Sequence, residues 1–232
     1  MDNLSSLKKL SLYDLNESDL PSDEWLPSTL ETLKVCSSKI LEIFCLHQKL
    51  SSLRTLIIKK CMKVTSVDGL HNLSSLEELV IMHCPELQFS PFDHLPSSLH
   101  SLTVAHCRNL WSLPLMNCHN MQLWQDKSLP SKLENVSIIN CSKLIALPGL
   151  QKLTSLKRLE LRKCPIFAIK SDEFLSCVPQ HVEIIDCPRM RKWCKRYQVG
   201  CIMVFFHPLE LLFTMKYPGY VGSQRNLDLI TQ

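Results

Sequence analysis

The chain has 232 residues, 45% of them hydrophobic, and a formal net charge of +4. That balance is ordinary for a globular protein and excludes the large positive excess of a protein built mainly to hold nucleic acid or an anionic membrane. Its five glycines form no phosphate-cradling GxxxxGK or GxGxxG arrangement, and no G-x-S-x-G elbow occurs, which leaves no sequence argument for an enzyme or for a cofactor.

In chain order, one frame recurs from about Leu4. Leu7, Leu10, Leu12 and Leu15 stand in the slots that Leu30, Leu33, Val35 and Ser38 fill 23 residues later. The third unit carries Leu53, Leu56, Ile58 and Cys61, the fourth Leu76, Leu79, Ile81 and Cys84, and the fifth Leu99, Leu102, Val104 and Cys107. The next step is 34 residues, one period plus 11, so an insertion separates Cys107 from Cys141. It falls within Leu113–Lys127, a stretch that contains Met116, Cys118, His119 and Trp124. The frame resumes at Leu133, Val136, Ile138 and Cys141, continues at Leu156, Leu159, Leu161 and Cys164, and closes at Val182, Ile184 and Cys187, where Pro179 replaces the first leucine. Eight repeats therefore run from Leu4 to Met190. A fixed period of this size marks a solenoid, whose units cannot bury their apolar faces alone and stack to do so.

Within each unit apolar and polar residues alternate, as in Leu159-Glu160-Leu161-Arg162. Period-two alternation predicts a short strand with one buried face, and stacking predicts a parallel sheet with strands ~4.8 Å apart. The Cys slot follows the strand where the chain turns inward. A thiol packs there like an apolar group and can donate weakly to a carbonyl. The Leu-Ser-Ser-Leu and Leu-Pro-Ser entries, such as Leu73–Leu76 and Leu95–Leu99, read as turns before the next strand. The segments behind the sheet predict loops, single turns and a few short helices.

The twelve cysteines raise the alternative of a secreted, disulfide-rich fold. Six of them share one repeat slot, and Met1–Leu10 lacks the apolar core of an export signal. Reduced structural thiols and a cytoplasmic protein are the expectation. The Asn-x-Ser sequons at Asn3, Asn16, Asn72, Asn135 and Asn140 carry little weight without export. His83-Cys84 and His106-Cys107 fall in successive repeats, but histidine outward and cysteine inward would diverge, so no metal is expected there. Arg189, Arg191, Lys192, Lys195 and Arg196 surround Trp193, and this run reads as a solvated segment capping the last repeat rather than a nucleic-acid patch.

The outward slots are the candidate binding surface. They include Cys36 in the second repeat, Arg54, Ile57 and Lys59 in the third, then Glu77, Val80 and Met82, then His100, Thr103 and Ala105, and Glu134 and Ile139. The seventh repeat adds Lys157, Arg158, Glu160 and Arg162. Apolar and charged side chains mixed on one sheet face suit protein recognition.

The frame L-x-x-L-x-L-x-x-C-x-x-L is the leucine-rich-repeat signature. The segments LEELVIMHCPEL (Leu76–Leu87), LKRLELRKCPIF (Leu156–Phe167) and VEIIDCPRMRKW (Val182–Trp193) resemble the C-terminal repeat region of plant disease-resistance proteins of the nucleotide-binding leucine-rich-repeat type. The resemblance covers about Leu4 to Tyr197. It implies an α/β leucine-rich-repeat solenoid over residues 1–197, with a curved parallel sheet on the concave face and irregular loops, short turns or helices on the convex face. It also implies intracellular immune recognition: contact with a pathogen effector or guarded host protein, and restraint of a nucleotide-switch domain. This sequence contains no such domain, so nucleotide binding does not carry over, and the chain looks like a fragment. A substrate adaptor of a ubiquitin ligase is the alternative. In the tail, residues 198–232, Cys201–Phe213 is apolar but too short and broken for a membrane span, which needs ~20 residues. It either caps the core or has no settled structure, the second reading being preferred; Gly219–Gln232 reads as disordered.

Overall fold

A computed structural model describes residues 6–14, 26–37, 50–65, 67, 69–87, 95–110, 129–147, 149–169, 179–197, 202–203 and 213–214. The insertion at Leu113–Lys127, the sequons Asn3 and Asn16, the slots at Leu15 and Ser38, and Gly219–Gln232 lie outside these residues, as does most of Cys201–Phe213.

The chain is a parallel β-solenoid with a repeat of about 23 residues. Eight five-residue strands lie side by side in sequence order: β1 (Lys9–Tyr13), β2 (Thr32–Cys36), β3 (Thr55–Lys59), β4 (Glu78–Met82), β5 (Ser101–Ala105), β6 (Asn135–Ile139), β7 (Arg158–Arg162) and β8 (His181–Ile185). Register follows the repeat, with Leu56 opposite Leu33 and Leu79, and Ile58 opposite Val35 and Ile81. The longer step leaves it intact: Leu102 faces Val136 and Val104 faces Ile138, so β5 and β6 pair as the other neighbours do. After helix α1 (Met190–Tyr197), two-residue strands β9 (Ile202–Met203) and β10 (Phe213–Thr214) extend the sheet, β9 parallel to β8 and β10 antiparallel to β9.

The strands form where they do because alternate residues need a core. Leu79, Ile81, Leu102, Val104, Leu159 and Leu161 are fully buried, continuous with the apolar residues that return behind the sheet, such as Val64, Leu87, Leu110, Leu144 and Phe167. Each such side chain contributes ~1.5–3 kcal/mol by leaving water. Among the described residues two 3-10 turns, Leu70–Asn72 and Leu150–Lys152, lie between strands; each follows a glycine in the left-handed region, Gly69 and Gly149, which only glycine enters without steric cost. Helix α1 closes the last repeat. Its Met190, Trp193 and Cys194 are buried, so the indole at the centre of the basic run belongs to the core.

Two devices stitch neighbouring repeats beyond the strand ladder. At the entry edge one carbonyl accepts from two successive N–H groups of the next repeat, as Arg54 O does from Glu77 (2.8 Å) and Glu78 (2.9 Å). At the exit edge the residue after each strand turns into the left-handed region: Asp14, Ser37, Lys60, His83, His106, Asn140, Lys163 and Asp186 have φ between 52° and 58°. The first seven donate their N–H to the last strand residue of the next repeat, as Lys60 does to Met82 O at 2.9 Å and Asn140 to Arg162 O at 2.7 Å. Each bond offsets part of the ~1–2 kcal/mol that a side-chain-bearing residue costs in that conformation.

The cysteines come next. All eight described ones are buried free thiols. In the repeat slot each thiol donates to the carbonyl two residues back, at 3.3 Å for Cys164 to Arg162 O and Cys187 to Ile185 O. Cys164 and Cys187 also reach the previous repeat, at Ile138 O (3.8 Å) and Leu161 O (3.6 Å). Hydrogen bonding to Cys107, with burial added, pushes the Cys84 thiol up to about 12, and burial pushes Cys141 up to about 11. Hydrogen bonding to Cys187 and burial hold Cys164 far above the ordinary thiol range. These groups stay protonated at neutral pH and act as packing and weak donors, not as nucleophiles.

Candidate protein-binding face

The side of the sheet opposite the leucines is built from four rows that cross the strands. The row just before the strands reads Lys8, Glu31, Arg54, Glu77, His100, Glu134 and Lys157. Opposite charges pair across repeats: Lys8 with Glu31 (2.9 Å), Arg54 with Glu77 (2.8 Å) and Lys157 with Glu134 (2.8 Å). Lys8, by hydrogen bond and charge, holds the Glu31 carboxyl below the usual carboxylate range. His100 sits exposed between Glu77 and Glu134, tied to both through the backbone. The first strand row contains Arg158, exposed opposite Asn135 and His181.

The middle row brings together Ile57, Val80, Thr103, Ser137, Glu160 and Glu183. The last strand row brings together Lys59, Met82, Ala105, Ile139 and Arg162. Ile57, Val80, Met82 and Ile139 therefore form one apolar strip across repeats three to six, bordered by Lys59 and by a charged cluster. In that cluster Arg162 contacts Glu160 (2.8 Å) and Glu183 (2.7 Å), while Ser137 donates to Glu160 at 3.0 Å. The Glu183 hydrogen bond raises the Arg162 pKa further.

The sequence-predicted face residues thus share one surface, but not all outward slots reach water equally. Ile57, Lys59, Val80, Met82, Thr103, Glu134, Ile139, Glu160 and Arg162 are half-buried. Cys36 and Ala105 are buried, at 7% and 0% exposure, where outward exposure was expected. Both are small, and their sheet neighbours are longer: Tyr13 and Lys59 flank Cys36, Met82 and Ile139 flank Ala105.

Sequence reasoning missed the corner row. His83 and His106 do point away from their cysteines, but they do not stand apart from each other. Their rings stack at 4.3 Å, 6° from parallel. Asn140 Nδ2 donates to His106 Nδ1 at 3.0 Å, which puts the proton of the neutral ring on Nε2. Burial first, then His83, Arg108 and Lys163, hold the His106 pKa below its ordinary value. The signal was present in the sequence as a polar residue immediately ahead of each Cys slot. At the far end Lys34 Nζ donates to Tyr13 OH at 3.2 Å and lies 5.4 Å from that ring's centroid.

Among the described residues, no group of three or more His, Cys, Asp or Glu could hold a metal ion. Among them too, no helix is long and apolar enough to cross a membrane. The arrangement offers a polar and apolar contact surface rather than a gathered reactive group. No protein-family model matches the chain, and neither does any curated protein.

Proposed function

We propose that this chain is a leucine-rich-repeat recognition module that works by protein–protein contact through the open sheet face and performs no chemistry of its own. The observation that carries this reading is the apolar strip of Ile57, Val80, Met82 and Ile139, the last two flanking the buried Ala105, set among charged rows on a surface that no described element of the chain covers. Half-buried apolar residues framed by charge form the core and rim of a protein interface. The Cys-Pro-x-Leu rhythm supports placing the module in an intracellular plant immune receptor of the nucleotide-binding type. There its partner would be a pathogen effector, a guarded host protein or the receptor's own switch domain.

Site-specific photocrosslinking in plant cytoplasm tests this. A benzophenone amino acid at Val80 is expected to give discrete protein adducts. The same group at Met62, which is 59% exposed in the turn beyond β3, is expected to give none of them. Identical adduct patterns from both positions would contradict the reading.

A further inference from the structure

The two flanks of the open face differ electrostatically, and the difference specifies the chemistry of what docks there; this inference rests on the protein-recognition reading above. On the entry flank, charges of opposite sign alternate between repeats and neutralise one another in the pairs Lys8–Glu31, Arg54–Glu77 and Glu134–Lys157. The exit flank is one-signed only between its ends, where the corner row has Asp14 and Asp186. In repeats three to seven, the last strand row and the corner row contain Lys59, Lys60, Arg162 and Lys163, the His83–His106 stack, and no carboxylate. Arg162 is already held by Glu160 and Glu183. Lys59, Lys60 and Lys163 contact no carboxylate among the described residues.

Lys60, His83 and Lys163 are exposed, and His106 is half-buried between them. At ~4.8 Å per strand the corner row from Lys60 to Lys163 spans about 19 Å, the reach of about six residues of extended chain. The apolar strip runs beside it for most of that length.

We propose that this face binds a polypeptide segment that joins a bulky apolar anchor to a run of carboxylates. The anchor lies on the Ile57–Val80–Met82–Ile139 strip and the carboxylates lie along the corner row from Lys60 to Lys163. Carboxylates supply both the opposing charge and the acceptors that ammonium and imidazole N–H groups require. Nucleic acid would also supply charge, but it has no aliphatic anchor for the Ile57–Val80–Met82–Ile139 strip, and beyond the two imidazoles its unpaired bases find few aromatic faces to stack on. Across the outward rows of β1–β8 the one Phe, Tyr or Trp is Tyr13, at the opposite end and already engaged by Lys34. A docked carboxylate favours the protonated His106 imidazole, so binding strengthens as pH falls; Asn140, Arg108 and Lys163 act on that ring, and Lys60 is the corner residue one repeat before His83.

The test uses the full chain and three fluorescent probes: a peptide joining a glutamate run to a Leu-Trp-Leu anchor, the same peptide with lysines for glutamates, and a single-stranded oligonucleotide of equal charge. The glutamate peptide is expected to bind best, to weaken with salt, and to tighten from about pH 8 to about pH 6. Lys60→Glu/Lys163→Glu is expected to cost it about ten-fold or more, whereas Lys132→Glu/Lys152→Glu, both exposed and outside the sheet face, leaves it unchanged. Val80→Asp is expected to abolish binding of the glutamate peptide. Equal or tighter binding of the lysine peptide overturns the charge assignment and leaves the protein-recognition reading standing. Tighter binding of the oligonucleotide overturns the proposal in favour of a nucleic-acid surface. Failure of all three probes to bind a protein that melts normally overturns this proposal, and leaves the protein-recognition reading to the crosslinking at Val80.

Discussion

His83 and His106, 23 residues apart, stack their imidazole rings at 4.3 Å because both occupy the left-handed corner that follows a strand. The corner turns each side chain the same way, and the forward hydrogen bond from His83 N–H to Ala105 O (2.9 Å) sets the two repeats at stacking distance. A local backbone conformation, repeated with the period of the solenoid, thus makes a surface feature that neither residue could make alone.

The stack makes stability pH-dependent. His106 has a lowered pKa in the fold, so below its unfolded value of ~6.5 the unfolded chain binds more protons than the native one. Its contribution is full above that pH and is lost as pH falls through the folded value. The melting temperature is expected to drop from pH 7.5 toward pH 5, and the drop to be smaller in His106→Asn. An unchanged pH profile in that variant, followed by circular dichroism, would contradict the account.

Inside and outside positions should respond differently to charge. Leu79→Asp or Leu159→Asp places an unpaired carboxylate in the core and is expected to abolish the cooperative melt. Glu77→Ala breaks an exposed pair with Arg54 and is expected to cost about 1 kcal/mol or less; Arg158→Ala, also exposed, should be equally mild. Comparable damage from both classes in thermal melts would refute the inside–outside assignment.

Two thiols of the row, those of Cys84 and Cys141, should be chemically silent while folded. Cys84 and Cys141 are buried, with pKa values pushed up to about 12 and about 11, so at pH 8 iodoacetamide is expected to leave them unmodified until denaturant is added. Mass mapping of alkylated peptides reads this directly, and rapid native alkylation of either residue would contradict it.

The corner conformation predicts a substitution series at Ser37, with φ 56°. A β-branched side chain is an outlier at positive φ, so Ser37→Val is expected to destabilise the fold by about 1–2 kcal/mol. Ser37→Gly and Ser37→Asn are expected to be near neutral or stabilising, because both tolerate the left-handed region. Urea unfolding would separate them, and a harmless valine would argue against the corner.

Much of the architecture was legible because it follows from period alone. The spacing of Leu56, Leu79 and Leu102 predicted strands in register. The 34-residue step predicted an insertion, and Val104 opposite Ile138 shows that it leaves the ladder unbroken. Alternation also told inward from outward, but it carries no information about neighbours' size. Ala105 therefore read as a face residue and is covered by Met82 and Ile139. The corner was harder to read because glycine, the usual mark of positive φ, is absent from all eight positions. Lysine and histidine there look like surface decoration until backbone angles are known. The basic residues around Trp193 read as a solvated run, yet Met190, Trp193 and Cys194 share the i, i+3, i+4 spacing of a buried helical stripe.

The account stands or falls on whether the sheet face is where this protein meets its partner. The decisive measurement is the affinity of the protein captured through Val80 for the purified chain, compared among wild type, Val80→Asp/Ile139→Asp and Met62→Asp by isothermal titration calorimetry. A loss of at least about ten-fold is expected for the face variant with its thermal melt preserved, and none for Met62→Asp. Equal affinity in all three would contradict the assignment of the open face.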